Sequence, residues 1–214
     1  VPTFYYGGEP YTRIGLVSDG YVVIGGGTGA DVNFFPQSFP NTAKPNNVIA
    51  PFWTDLNPSA GGALRIGTLT DGSTTWLVVD FDKVKNFSNA TTHSGEIWIR
   101  ISGGAAGTGP VSEQLTVDYG SGGTPGNAAA GDPGSAMNWG AENRDGMSGM
   151  NIASAPADGS EYRPVLGPPT PGGSVSFGFD VFSGAAGTWF SDAKMTTDQT
   201  PGTTIASQAI TVTP

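Results

Sequence analysis

Along most of this chain apolar and polar residues alternate with a period of two, and no window repeats at helical spacing. Alternation of that kind sends successive side chains to opposite faces of an extended strand. It predicts strands over residues 13–17, 21–25, 48–53, 63–69, 74–81, 95–102, 112–119, 137–142, 175–182, 189–196 and 205–213. Ser18-Asp19-Gly20, Thr70-Asp71-Gly72-Ser73, Arg144-Asp145-Gly146 and Asp158-Gly159-Ser160 have turn composition. The second of these joins ALRIGTL to TTWLVVDF, which predicts an antiparallel hairpin. Many short strands so spaced predict an all-β fold, an antiparallel β-sandwich of jelly-roll or immunoglobulin-like type.

Residues 1–165 are long enough to form one sandwich with a substantial core. Gly120–Gly134 is small, polar and glycine-rich and reads as a long exposed loop. Leu166–Gly173 is rich in proline and reads as a stiff linker or crossover. The stretch 166–214 is then either a small immunoglobulin-like unit or a set of strands completing the sandwich. Five tryptophans and eleven phenylalanines argue against disorder, because so much aromatic surface must be buried or used.

Charge narrows the partners. A formal net charge of -9, with nine Lys+Arg and no basic cluster, disfavours nucleic acid and anionic membrane surfaces. No apolar run is long enough to span a bilayer, so membrane insertion is not expected. With no cysteine, disulfides, thiolate metal sites and cysteine catalysis are excluded. A chain starting at Val1 reads as a piece of something longer.

Catalytic chemistry finds little purchase. The single histidine, His93, precedes a strand in NATTHSGEIWIRIS and is expected on an exposed loop, without a nucleophile-elbow motif to serve. Asp80 and Asp82 share one strand face in VVDFDK, and Lys83 and Lys85 suggest a charge-compensated edge. Gly25-Gly26-Gly27 is expected to be a wide turn between strands, because no helix follows to cradle a phosphate. Oxygen ligands on turns make a structural calcium ion the ionic expectation, with Asp55, Asn57, Glu142 and Asp145 as candidate ligands. Trp53, Trp76 and Trp98 occupy alternating strand positions and are expected in the core. Tyr5, Tyr6, Tyr11, Phe34 and Phe35 crowd the first forty residues, and proline punctuates FFPQSFP. They are the candidate substrate-binding face, with plugging the end of the sandwich as the competing reading.

The series YGGEPYTRIGLVSDGYVVIGGGTGADV, NNVIAPFWTDLNPSAGGALRIGTLTDG, TTWLVVDFDKVKNFSN, EIWIRIS and WGAENRDGMSG resembles a β-rich domain found C-terminal to the catalytic domain in secreted bacterial subtilisin-like serine proteases. The resemblance covers residues 1–165. To a lesser degree, APFW followed by Asp resembles the extracellular nidogen-type domain. The first resemblance implies a non-catalytic accessory domain, extracellular or on the cell surface. Its partners would be insoluble protein such as collagen, or the parent protease catalytic domain. Two alternatives stand beside it: a structural or surface-assembly module whose unpaired terminal strand, 203–213, pairs with a neighbour, and an independent hydrolase.

Overall fold

The computed structural model describes residues 1–102, 115–120, 136–157, 159–164 and 166, and the backbone of 187–195 and 204–212. Two compact units divide the chain, Val1–Thr170 and Pro171–Pro214. In the first unit the strands are β1 (Phe4–Tyr6), β2 (Glu9–Tyr11), β3 (Ile14–Val17), β4 (Tyr21–Ile24), β5 (Val48–Trp53), β6 (Ala63–Thr70), β7 (Thr75–Lys85), β8 (Thr92–Ser102), β9 (Leu115–Asp118), β10 (Asn138–Glu142), β11 (Gly149–Asn151) and β12 (Glu161–Tyr162). Sheet I runs β11-β10-β5-β4-β3, sheet II runs β12-β9-β8-β7-β6, and β1 pairs with β2. Every pairing is antiparallel, and the two sheets pack against each other as a sandwich. Among the described residues no helix is long and apolar enough to cross a membrane.

Alternation found the long strands to within a few residues, and the hairpin at Asp71-Gly72 pairs Thr70 with Thr75 as expected. It missed β1, β2, β11 and β12, because two or three residues are too few to display a period. The expected strand at 175–182, and the expected loop beyond Gly120, lie outside the described residues. In the second unit β13 (Gly187–Met195) pairs antiparallel with β14 (Thr204–Val212) over nine residues each. The terminal strand is therefore paired within the chain on one edge, unlike the unpaired strand that the structural-module alternative supposed.

The main core lies between the sheets. Val22, Ile49 and Phe52 of sheet I meet Val79, Phe81, Ile97 and Val117 of sheet II. Phe52 and Phe81 stand edge to face with ring centroids 5.4 Å apart. At Gly95 a Cβ would come within 2.9 Å of the Phe52 ring, so the small residue is what lets β8 approach β5. Gly20, at φ +82, closes the β3–β4 turn where a Cβ would stand 2.0 Å from the Phe52 carbonyl oxygen.

A second apolar cluster lies on the outer side of sheet I: Val17, Tyr21, Val23, Phe39, Val48, Ala50 and Trp53. Strands β4 and β5 are consequently buried on both faces throughout. A bulge in β5 makes this possible. Trp53 pairs with Asn138 and Ala50 with Gly140, so β5 spends three residue steps where β10 spends two. The extra residue switches parity after Ala50, sending Phe52 inward and Trp53 outward. Pro51, which lacks a donor, is tolerated at such a break in the ladder.

Candidate functional site

The cover over sheet I builds the site. After β4 the chain turns through Gly25–Gly27, all at positive φ, into a single 3-10 turn, Gly29–Asp31, closed by a Thr28/Asp31 capping box. This is the wide turn the glycines predicted. Two buried aromatics then hold Asn33 from both sides. Its N–H donates to the Tyr21 hydroxyl at 2.8 Å, and its carbonyl accepts from Trp53 Nε1 at 2.7 Å. The Asn33 side chain in turn accepts from Phe35 N at 3.0 Å, folding the backbone back on itself. Phe34 and Phe35 therefore leave the surface together, 44% and 54% exposed, with ring centroids 4.1 Å apart.

Phe34 borders an open groove of about 530 Å³ lined also by Ser18, Asp19, Asp55, Asn57, Ser59 and Phe87. Phe87 arrives from the β7–β8 turn, 62% exposed, its N–H bonded to the Asp55 carbonyl at 3.0 Å. Asp19 is buried in the floor and accepts from Leu56 N at 3.1 Å. Burial pushes its carboxyl above the usual range, the Leu56 N–H pulls it back, and neighbouring Asp55 pushes it further up. Chemically the groove is a rim of exposed rings around two crowded carboxylates. It offers area and stacking to an apolar chain and acceptors to its donors.

The structure sorts the residues nominated from sequence. Phe34, Phe35, Asp55 and Asn57 meet at or beside this groove, and Phe87 is the contributor that sequence reading missed. Its signal was available: NFSN is a polar turn, and a lone phenylalanine in such a turn has no core to enter. Tyr5 is half-buried on β1. Tyr6 cannot serve a binding face, because its ring is 3% exposed and its hydroxyl lies against the Val48 and Glu142 carbonyls, at 2.8 and 2.9 Å. Tyr11 is half-buried in a different cleft, donating to Glu9 at 2.7 Å. Burial and the Glu9 carboxylate both raise its hydroxyl pKa.

The four candidate calcium ligands do not share one site. Glu142 is fully buried behind the sheet I cover, accepting from Asn41 N at 2.8 Å and Gln37 Nε2 at 3.3 Å. Burial drives it up to about 7 against those two donors. Asp145 accepts from Met147 N at 3.1 Å in the β10–β11 turn. In the groove itself, Asn57 Oδ1 is already engaged by Ser59 N at 3.1 Å and Oγ at 2.5 Å. Among the described residues no three His, Cys, Asp or Glu side chains gather as a metal would need.

Three expectations about single residues are corrected. His93 is not on an exposed loop but inside β8, fully buried, with Nε2 2.7 Å from Asn86 Oδ1 and its ring 5.5 Å from Phe52. Burial lowers its pKa to about 4. A hydrolase acting through this histidine has no route to a substrate. Asp80 and Asp82 are compensated as expected, but by Arg65 Nη1, at 2.9 and 2.8 Å, rather than by the lysines. Trp53 is core, whereas Trp76 and Trp98 stand half-exposed on the outer face of sheet II. Their parity with Asp80 and with Glu96 and Arg100 was the signal: residues two apart share a face.

No curated protein and no solved structure matches the chain. A family model does, over residues 3–163; it bears on the nidogen-type resemblance, which the sequence carried only in APFW followed by Asp. That family is one of extracellular-type, non-enzymatic β modules, in keeping with an aromatic groove and a sealed histidine. On that match, and with the all-β sandwich to support it, the chain belongs to the NIDO-related family.

Proposed function

We propose that this chain is a gripping module of a secreted bacterial serine protease, holding insoluble, collagen-like protein near the parent catalytic domain. The observation that carries the gripping role is the rim of Phe34, Phe35 and Phe87, each more than two-fifths exposed around Asp19 and Asp55. Large rings left in water beside polar groups bring contact area at low entropic cost. The protease parent and the collagen-like ligand rest on the sequence resemblance over 1–165. Calcium is not part of this reading, because among the described residues no three His, Cys, Asp or Glu side chains gather at the groove.

Retention on insoluble collagen, with cellulose and chitin as controls, tests it. The Phe34→Ala/Phe35→Ala variant should lose at least about tenfold in retention, and Phe87→Ala somewhat less, with unchanged melting temperatures. Equal retention of both variants and the parent chain would remove the groove from the account. Retention on polysaccharide alone would replace the ligand.

A further inference from the structure

The outer face of sheet II carries an arrangement that the groove does not explain. Register places Glu161 opposite Asp118, Asp118 opposite Glu96, Glu96 opposite Asp80, and Asp80 opposite Arg65. Four carboxylates thus stand side by side across four strands, and like charges directly opposite one another destabilise a sheet. Arg65 neutralises only one end, bonding Asp80 and Asp82. Among the described residues no ion pair reaches Glu96, Asp118 or Glu161. Burial raises the Glu96 pKa, the Trp98 indole N–H lowers it, and Asp80 and Asp118 raise it again, so the row's mutual repulsion is felt.

In the next row Trp98 faces Thr116 on one side and Val78 on the other, and Trp76 follows one step further, opposite Arg100. The two indoles stand edge to face, centroids 6.1 Å apart at 71°. Trp98 Nε1 donates to Glu96 Oε2 at 2.7 Å, which fixes that ring against the carboxylate row. A cleft of about 180 Å³ opens between Trp76, Trp98, Thr116, Asp118 and Glu161. One wall is a π face and the other a pair of carboxylates without a cation.

We infer that this face is a second binding surface, separate from the aromatic groove, that takes an extended polypeptide bearing lysine or arginine side chains. A cation seated in the cleft gains the π face of Trp98 and relieves the repulsion along the row. Charge complementarity selects this occupant over a neutral sugar, which would stack on indole but leave the carboxylate row uncompensated. Coplanar rings, which a sugar platform favours, are also absent from the pair.

Fluorescence anisotropy with a labelled (Thr-Lys)₄ peptide tests the inference, with (Thr-Glu)₄ and xylohexaose as controls, at low and physiological salt. The parent chain should bind the lysine peptide alone. Trp98→Ala should weaken binding about tenfold and Trp98→Phe only a few-fold, the order of aromatic faces toward cations. Asp118→Asn/Glu161→Gln, nearly isosteric on the surface, should weaken it about tenfold while leaving the melting temperature no lower, since it also removes like-charge repulsion along the row. Phe34→Ala/Phe35→Ala should have no effect, which separates this surface from the groove. Binding that survives both Trp98→Ala and the charge-neutralised variant would be diffuse attraction to an acidic protein and would overturn the inference. So would saturable binding of the hexasaccharide, or loss of lysine-peptide binding in the phenylalanine variant.

Discussion

Sheet I and sheet II are built from the same kind of strand and end in opposite circumstances. In sheet I the central strands are buried on both faces, inward by the sandwich core and outward by the segment between β4 and β5. Among the described residues sheet II is covered on one side only, and its outer face carries Trp76, Trp98 and the carboxylate row. The sequence of each strand follows. Strands covered twice read YVVI and VIAPFW, nearly all apolar, while strands covered once read TWLVVDFDK and EIWIRIS, alternating. A tryptophan therefore means different things in the two sheets. Trp53 of sheet I is a peg holding a cover; Trp76 and Trp98 of sheet II are part of an accessible surface.

The largest effect should come from removing the peg. Trp53 is fully buried, its ring 4.5 Å from Tyr21 and 5.9 Å from Phe39, and its indole holds Asn33. Trp53→Ala should cost about 3–5 kcal/mol of unfolding free energy in urea melts. Trp98→Ala, on a half-exposed site, should cost about 1 kcal/mol. Equal costs would mean that the two faces are not differently covered.

Two buried ionisable groups, one behind the cover of sheet I and one on the inner face of sheet II, should tilt stability in opposite directions with pH. Glu142 has a folded pKa of about 7 against an ordinary 4.5, so the folded state binds the proton more readily. Its contribution grows as pH falls from 7 toward 4.5 and is lost as pH rises through 7. His93 has a folded pKa of about 4 against an ordinary 6.5. Its contribution is whole above 6.5 and is lost as pH falls toward 4. Between pH 7.5 and 5 each amounts to about 2 kcal/mol, so the parent chain should show a shallow slope. Glu142→Gln should expose the histidine and make stability fall with acidification. His93→Phe should expose the glutamate and make it rise. The slope of urea midpoints against pH is the readout, and parallel slopes in the two variants would defeat the assignment.

Much of this fold was legible because a period of two survives single-residue inspection over eight to eleven residues, as in β6, β7 and β8. The two-sided burial of sheet I was half legible. VIAPFW shows an unbroken apolar run, but the run does not say that the strand bulges at Pro51-Phe52 and sends Trp53 to the other side. That depends on pairing with β10, eighty-five residues distant at Asn138. His93 was misplaced for a related reason: β8 begins three residues before the alternation becomes apolar enough to see. Phe34 and Phe35 were legible as surface candidates because proline and glutamine follow them at once. Tyr6 was not separable from Tyr5, since a three-residue strand carries no signal of which side faces inward.

The smallest predicted effect asks whether the two tryptophans of sheet II act as a pair. Edge-to-face rings contribute about 0.5–1.5 kcal/mol beyond the area they bury, and the exposed setting favours the low end. A double-mutant cycle of Trp76→Ala and Trp98→Ala should therefore give a coupling of about 0.5 kcal/mol in urea melts. The corresponding cycle on Tyr21→Phe and Trp53→Phe should give more. There the rings are sealed and both side chains hold Asn33, so losing one bond weakens the other. A sheet II coupling as large as that of sheet I would mean the tryptophan pair is a structural element in its own right. A coupling near zero would mean that each indole is held by its own strand, as the Trp98–Glu96 bond holds Trp98, with its face presented to a ligand independently of Trp76.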